Sequence, residues 1–357
     1  MELRNDRLAH QPKVSGKSPS NQRTDRTLRP LTANATAQLM PNGVSMLTAS
    51  PSKRMTPLAQ NLIQAVGQSV HGKDDAIELA VISLLAGGHL LIEDLPGVGK
   101  TLLARSLAHA LDLPFQRIQC TADLLPSDLI GAQIYHPRTG ELTFRKGPVF
   151  TSVLMADELN RTPPRTQSAL LECMAERSVT VDRERHDLQD PFFVIATQNP
   201  MTAAGTYVLP DNQLDRFLLR IQIGHLDPEF EVEVVSREDG HRIAEDTLPI
   251  ASAEELAATK EAISQVRCDH ELVAFMVELA NRTRNSSDIT QGVSTRGAQA
   301  LHRACRARAH IHARDFVVPD DVRALLIPAW AHRLTTRSGS HADALLHEIL
   351  AETALPD

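Results

Sequence analysis

From about residue 56 onward, stretches with a helical period alternate with short apolar runs, the order that a parallel sheet with helical crossovers requires. The runs are "HLLIE" at 89–93, "RIQC" at 117–120, "VLMAD" at 153–157, "FVIAT" at 193–197 and "LLRIQI" at 218–223. Most are β-branched or leucine-rich, as strands buried on both faces are. They predict an α/β fold with a five-stranded parallel sheet flanked by helices. Between them, Leu103, Leu107 and Leu111 fall on one helical face, and Thr162 followed by Pro163 predicts an N-cap with proline at the first helical position. Two stretches break the scheme and read as hairpins: 131–150, turning at Thr139-Gly140, and 177–194, turning around Arg183 to His186. Beyond about residue 250 only helical periods remain, so a smaller all-helical domain is expected. The first 54 residues show neither period and are rich in Ser, Thr, Asn and Pro, which predicts a disordered arm. The expected division is an arm at 1–54, an α/β domain at 55–245 and a helical lid at 246–357.

Composition changes this picture in one respect. The net charge of −7 hides a basic arm, with nine Lys or Arg against three Asp or Glu in residues 1–54, and an acidic remainder. Aromatic content of 3% argues against a base-stacking surface, and nucleic acid is not an expected partner. Cys120, Cys173, Cys268 and Cys305 lie far apart without a C-x-x-C pair, the usage of buried thiols in a reducing compartment. The longest apolar run, 79–88, is too short to span a bilayer, and no secretory signal is legible, so a cytoplasmic location is expected.

The chemistry is concentrated after the first strand, in "EDLPGVGKTLLA" at 93–104. A phosphate-binding loop needs bare backbone N–H groups, a cation and a hydroxyl for magnesium at a helix N-terminus. Gly97, Gly99, Lys100 and Thr101 supply these within the segment Pro96, Gly97, Val98, Gly99, Lys100, Thr101 and Leu102. The first consensus glycine is replaced by Asp94, at the entry to the loop, where the turn is affected more than the phosphate contacts. Asp157 and Glu158 end the third apolar run, suiting one carboxylate to Mg²⁺ and the next to a water beside the γ-phosphate. Asn199 follows the fourth run and could hold that water. His302, Cys305, His310 and His312 share one helix but lack a partner segment at ligand spacing.

Together, "EDLPGVGKT", "MADELNRTPPRTQSALLECM", "VIATQNP", "LPDNQLDRF" and "GVSTRGAQAL" resemble the MoxR family of AAA+ ATPases. The resemblance runs from about 56 to 335. It implies ATP and Mg²⁺ as ligands, with Lys100 and Thr101 as the Walker A pair, Asp157 and Glu158 as the Walker B pair and Asn199 as sensor one. It further implies Arg216 as an arginine finger reaching a neighbouring subunit, Arg296 as the sensor-two arginine of the lid, and a homo-oligomeric, usually hexameric, ring. The hairpins fall where this clade carries its helix-two insert and pre-sensor-one hairpin. Four positions depart from the family pattern: Lys73 beside the expected adenine site, Asp211 and Asn212, and Thr295.

No substrate-converting site beyond the nucleotide is legible, so the expected function is chemomechanical. ATP hydrolysis would drive chaperone-like remodelling or maturation of a partner, which the resemblance suggests is a client or adaptor with a von Willebrand A domain. ATP is expected over GTP because the N-K-x-D base-selecting motif is missing. A nucleotide-gated transcription or signalling regulator is the alternative, though "GAFTGA" is absent. A nucleic-acid motor is another, less suited to the acidic body.

Overall fold

A computed structural model describes residues 55–200, 205–236, 249–337 and 341–355; the expected arm and the expected boundary at 245/246 lie outside the described residues. Helices α1 (Pro57–Ser69) and α2 (Asp74–Leu85) lead into β1 (Leu90–Glu93) and α3 (Lys100–Ala110). Next come β2 (Phe115–Gln119), the short α4 (Pro126–Ile130), the hairpin of β3 (Gly131–His136) and β4 (Glu141–Lys146), and β5 (Val153–Asp157). Helix α5 (Pro164–Glu176) precedes a second hairpin, β6 (Ser178–Val181) and β7 (Glu184–Asp187), then β8 (Phe193–Gln198), α6 (Asp211–Leu214), β9 (Leu219–Ile221) and α7 (Pro228–Ser236). The remainder comprises α8 (Ala253–Ser264), α9 (His270–Asn285), β10 (Ile289–Gln291), α10 (Thr295–Ile311), α11 (Pro319–Trp330), β11 (Thr335–Thr336) and α12 (Ala342–Glu352).

The main sheet has the order β2-β5-β8-β1-β9 and every pairing in it is parallel. Because successive side chains alternate between faces, each apolar strand feeds two cores. Leu90, Ile92, Met155 and Ile195 enter one core with Leu103, Leu107 and Leu111 of the α3 region and with the helices that follow residue 250. Leu91, Leu154, Ala156 and Val194 enter the other, with Leu170, Leu171 and Met174 of α5. The C-terminal helices therefore pack directly onto the sheet side that carries α2. Trp330 is fully buried there, and its indole donates to Gly297 O at 2.9 Å.

Three local expectations are corrected. Thr162 is not the N-cap of α5: Pro163 is, and Pro164 takes the first turn. A residue before proline is driven out of the α region, and Pro163 itself precedes Pro164. The second hairpin turns at Asp182 and Arg183, both at positive φ, while His186 already lies in β7. Finally, the C-terminal part is not purely helical, since β10 and β11 pair as a small antiparallel ribbon. Strands of three and two residues are too short to show a period.

His89 sits at the entry to β1 without exposure to solvent. Its Nδ1 accepts from Val194 N at 3.1 Å and its Nε2 lies 3.1 Å from Met174 O. Burial lowers its pKa to about 4, and burial also takes His332 well below its ordinary value. Both rings are neutral in the folded protein, so the stability they confer is present above about pH 6.5 and declines below it as the unfolded rings take up protons, for His89 down to about pH 4. For His89 the expected loss between pH 7 and pH 5 is about 2 kcal/mol, measurable by urea denaturation at the two pH values.

Candidate functional site

After β1 the chain turns through residues 94–99 into α3, which begins at Lys100. Gly97 and Gly99 have φ of +87° and +92°, and a Cβ at either would meet nothing within 4 Å. The loop backbone is therefore bare towards a cavity of about 740 Å³. Pro96 to Leu102 line it together with Arg117, Gln119, Asp157 and Glu158, and Val70, Leu226 and Val234 add apolar lining beside His71, Lys73 and Glu231. Lys100 Nζ donates to Asp94 O at 2.7 Å and Leu95 O at 3.1 Å. Burial lowers its pKa, countered by the carboxylates of Asp94, Asp157 and Glu158.

Asp94 does more than replace a glycine. Its Oδ2 accepts from the backbone N–H groups of Ile223 and Gly224, each at 2.6 Å, and its Oδ1 from Leu95 N at 2.8 Å. The carboxylate thus ties the loop entry to the segment after β9. Restoring the consensus glycine by Asp94→Gly is expected to destabilise the protein by about 3 kcal/mol, since it strands a buried donor at Ile223 and weakens two further contacts. Chemical denaturation of the variant checks this.

Asp157 and Glu158 close β5 at the cavity. Thr197 Oγ1 donates to Asp157 Oδ1 at 2.6 Å and accepts from Glu158 N at 2.8 Å, so β8 holds both acids. Glu158 has φ +56°, a left-handed backbone that a non-glycine residue keeps only when its surroundings enforce it. Its carboxylate receives Arg161 Nη1 at 2.9 Å and Gln119 Nε2 at 3.3 Å, while Arg117 pairs with Asp157. Arg117 and Gln119 are residues that sequence reasoning missed. The signal was present: two polar side chains two positions apart on a sheet strand, opposite Met155 and Asp157 in register.

The other expected site residues lie elsewhere. Asn199 follows β8, whose place in the sheet is between β1 and β5, but it is buried and is not a wall of the cavity. Arg216 and Arg296 line a second cavity of about 510 Å³, together with Arg177, Arg303 and Arg333. Arg216 Nη1 donates to Leu171 O at 2.6 Å. On the other side of the first cavity, Lys73 Nζ donates to His225 O at 2.5 Å, joining the α1–α2 connection to the segment after β9.

Comparison with known proteins gives this geometry its family. The model for the ATPase family associated with various cellular activities matches residues 89–219, and that for the AAA lid domain matches 281–352. Chaperone MoxR1 of Mycobacterium tuberculosis is 35% identical over 83% of this chain and 80% of its own length. Protein MoxR of Paracoccus denitrificans is 33% identical over 76% of this chain and 86% of its own. The chain belongs to the MoxR family of AAA+ ATPases. This MoxR-family chain is also similar to the uncharacterised protein YeaC of Bacillus subtilis, 41% identical over 84% of the chain and 95% of the relative. A crystal structure from Cytophaga hutchinsonii, solved as a candidate ATPase, superposes with a TM-score of 0.78 at 37% identity, covering 84% of this chain and 95% of that one. Membership brings nucleotide binding and ATPase chemistry as family properties. Among the described residues no helix is long and apolar enough to cross a membrane.

Proposed function

We propose that this MoxR-family ATPase binds Mg-ATP in the 740 Å³ cavity and couples its hydrolysis to remodelling or maturation of a partner protein. The observation that carries the proposal is the convergence of Lys100, Thr101, Asp157 and Glu158 on one cavity whose glycine loop is bare of side chains. The triphosphate would lie along Gly97 to Thr101, exchanging the two carbonyl contacts of Lys100 for β and γ oxygens. Val70, Leu226 and Val234 offer apolar lining suited to a base. The Thr101 hydroxyl and the Asp157 carboxylate are oxygen donors that fit Mg²⁺, with Arg117 yielding its hold on Asp157. Mg²⁺ there would neutralise charge developing on the transferred phosphoryl group. Glu158 would orient and deprotonate the attacking water; Asn199, buried and outside the cavity lining, would reach that water only by reorienting.

Arg216 and Arg296 sit together in a different cavity from Lys100, which suits service to an adjacent protomer in a ring. The chaperone designation of the Mycobacterium tuberculosis relative favours a protein client. A client or adaptor with a von Willebrand A domain accords with the family resemblance. The test is a Glu158→Gln ring loaded with ATP, offered purified candidate partners. Retention in ATP but not ADP, and loss of retention with Lys100→Ala, is the expected result; nucleotide-independent retention would contradict coupling.

A further inference from the structure

The segment bearing Arg216 and the helix bearing Arg296 share one carboxylate, that of Asp215. Arg216 follows Asp215 on the segment after α6, and Arg296 lies in the first turn of α10. Asp215 Oδ1 accepts from Arg333 Nε at 2.7 Å, and Asp215 Oδ2 accepts from Ser294 Oγ at 3.0 Å. Ser294 is the N-cap of α10, and its Oγ accepts in turn from Gly297 N at 3.0 Å. Arg333, with a side chain only 3% exposed, donates further to Asp215 O, Phe217 O, Leu218 O and Ala329 O. Its stem runs against α10: a Cβ at Gly297 would stand 3.0 Å from Arg333 Cδ. One guanidinium is thus wedged between the segment bearing Arg216 and the helix bearing Arg296, and Asp215 joins both sides.

We infer that Asp215 is a positioning residue, which fixes Arg216 and Arg296 as one unit presented to the phosphates bound by the adjacent protomer. The inference rests on the reading that those two arginines act across the interface. Neutralising the charge of a buried arginine explains only the bond to Arg333. The second oxygen on Ser294 is what sets the start of α10 against the Arg216 segment. Small angular errors in such groups are amplified in the rate: a displacement of about 1 Å can reduce turnover about 100-fold. The signature of the role is therefore a defect located in the neighbour's site rather than in the protomer's own.

Subunit mixing reads that location. Asp215→Asn is expected to lower kcat by about 10-fold or more with KM for ATP little changed, because its own phosphate loop is untouched. Mixed with Glu158→Gln, which has intact arginines but a dead site, it should regain activity above the sum of the separate variants. Ser294→Ala, which keeps the Arg333 pair and removes the link from Asp215 to α10 together with the cap on Gly297 N, should show a smaller defect with the same recovery. Arg216→Ala mixed with Glu158→Gln is the reference. Recovery for Arg216→Ala without recovery for Asp215→Asn would overturn the role of Asp215 alone. No recovery for Arg216→Ala would overturn the cross-interface reading and the inference with it. Should Asp215→Asn lack a cooperative melting transition, the Ser294→Ala mixture decides by the same criterion.

Discussion

Glu158→Gln lowers ATP turnover by about 10²- to 10³-fold while leaving the affinity for Mg-ATP nearly unchanged, the expected result if Glu158 is the base. The amide fills the same volume and can still meet Arg161 and Gln119, which now hold the carboxylate. It can no longer accept a proton from water. Glu158 sits at the cavity wall with its backbone fixed by Thr197, so the substitution removes chemistry without loosening the β5 terminus. The rate measured under single-turnover conditions, beside the Kd for a fluorescent ATP analogue, separates the two effects. Lys100→Ala should differ in kind, weakening nucleotide binding itself. Unchanged turnover in Glu158→Gln would remove Glu158 from the chemistry.

Asp321→Ala should lower stability by about 3–5 kcal/mol, the scale for removing one partner from a buried ionic cluster. Asp321 is fully buried in the first turn of α11. Its carboxylate accepts from Arg308 Nη1 at 2.6 Å, from both terminal nitrogens of Arg314 at 2.7 Å, and from Val318 N at 3.0 Å. Arg308 extends the network to Glu78 on α2, 3.6 Å away, and His312 meets the same Glu78 at 3.0 Å. Truncation would leave two guanidinium groups without their common acceptor at the joint between the lid helices and the sheet domain. Urea denaturation of variant and wild type gives the difference, and a loss below about 1 kcal/mol would show that the cluster contributes little net stability.

Much of the architecture was legible because burial on both faces leaves a local trace. "VLMAD" and "FVIAT" read as interior strands, and both are. The Leu103, Leu107 and Leu111 face proved to lie in one core, as a helical period dictates. The loop proposed to hold phosphate was legible as a glycine turn despite Asp94, and Gly97 and Gly99 do take positive φ beside the Lys-Thr pair. The hidden parts depend on pairings distant in sequence. Asp94 with Ile223, Arg117 with Asp157, and Arg333 with Asp215 are 129, 40 and 118 positions apart. A charged residue in isolation reads as a solvated side chain, and only the folded chain shows which carboxylate it meets. The β10–β11 ribbon escaped for the opposite reason, being too short to carry a pattern.

The central claim is that the triphosphate is gripped at the N-terminus of α3 and faces Asp157 and Glu158. An experimental structure of the Glu158→Gln protein with ATP and Mg²⁺ tests it most directly. The account predicts Lys100 Nζ on β and γ oxygens, the metal between Thr101 and Asp157, and the amide of the substituted residue facing the γ-phosphate. Nucleotide bound elsewhere, with Lys100 still on the carbonyls of Asp94 and Leu95, would contradict it.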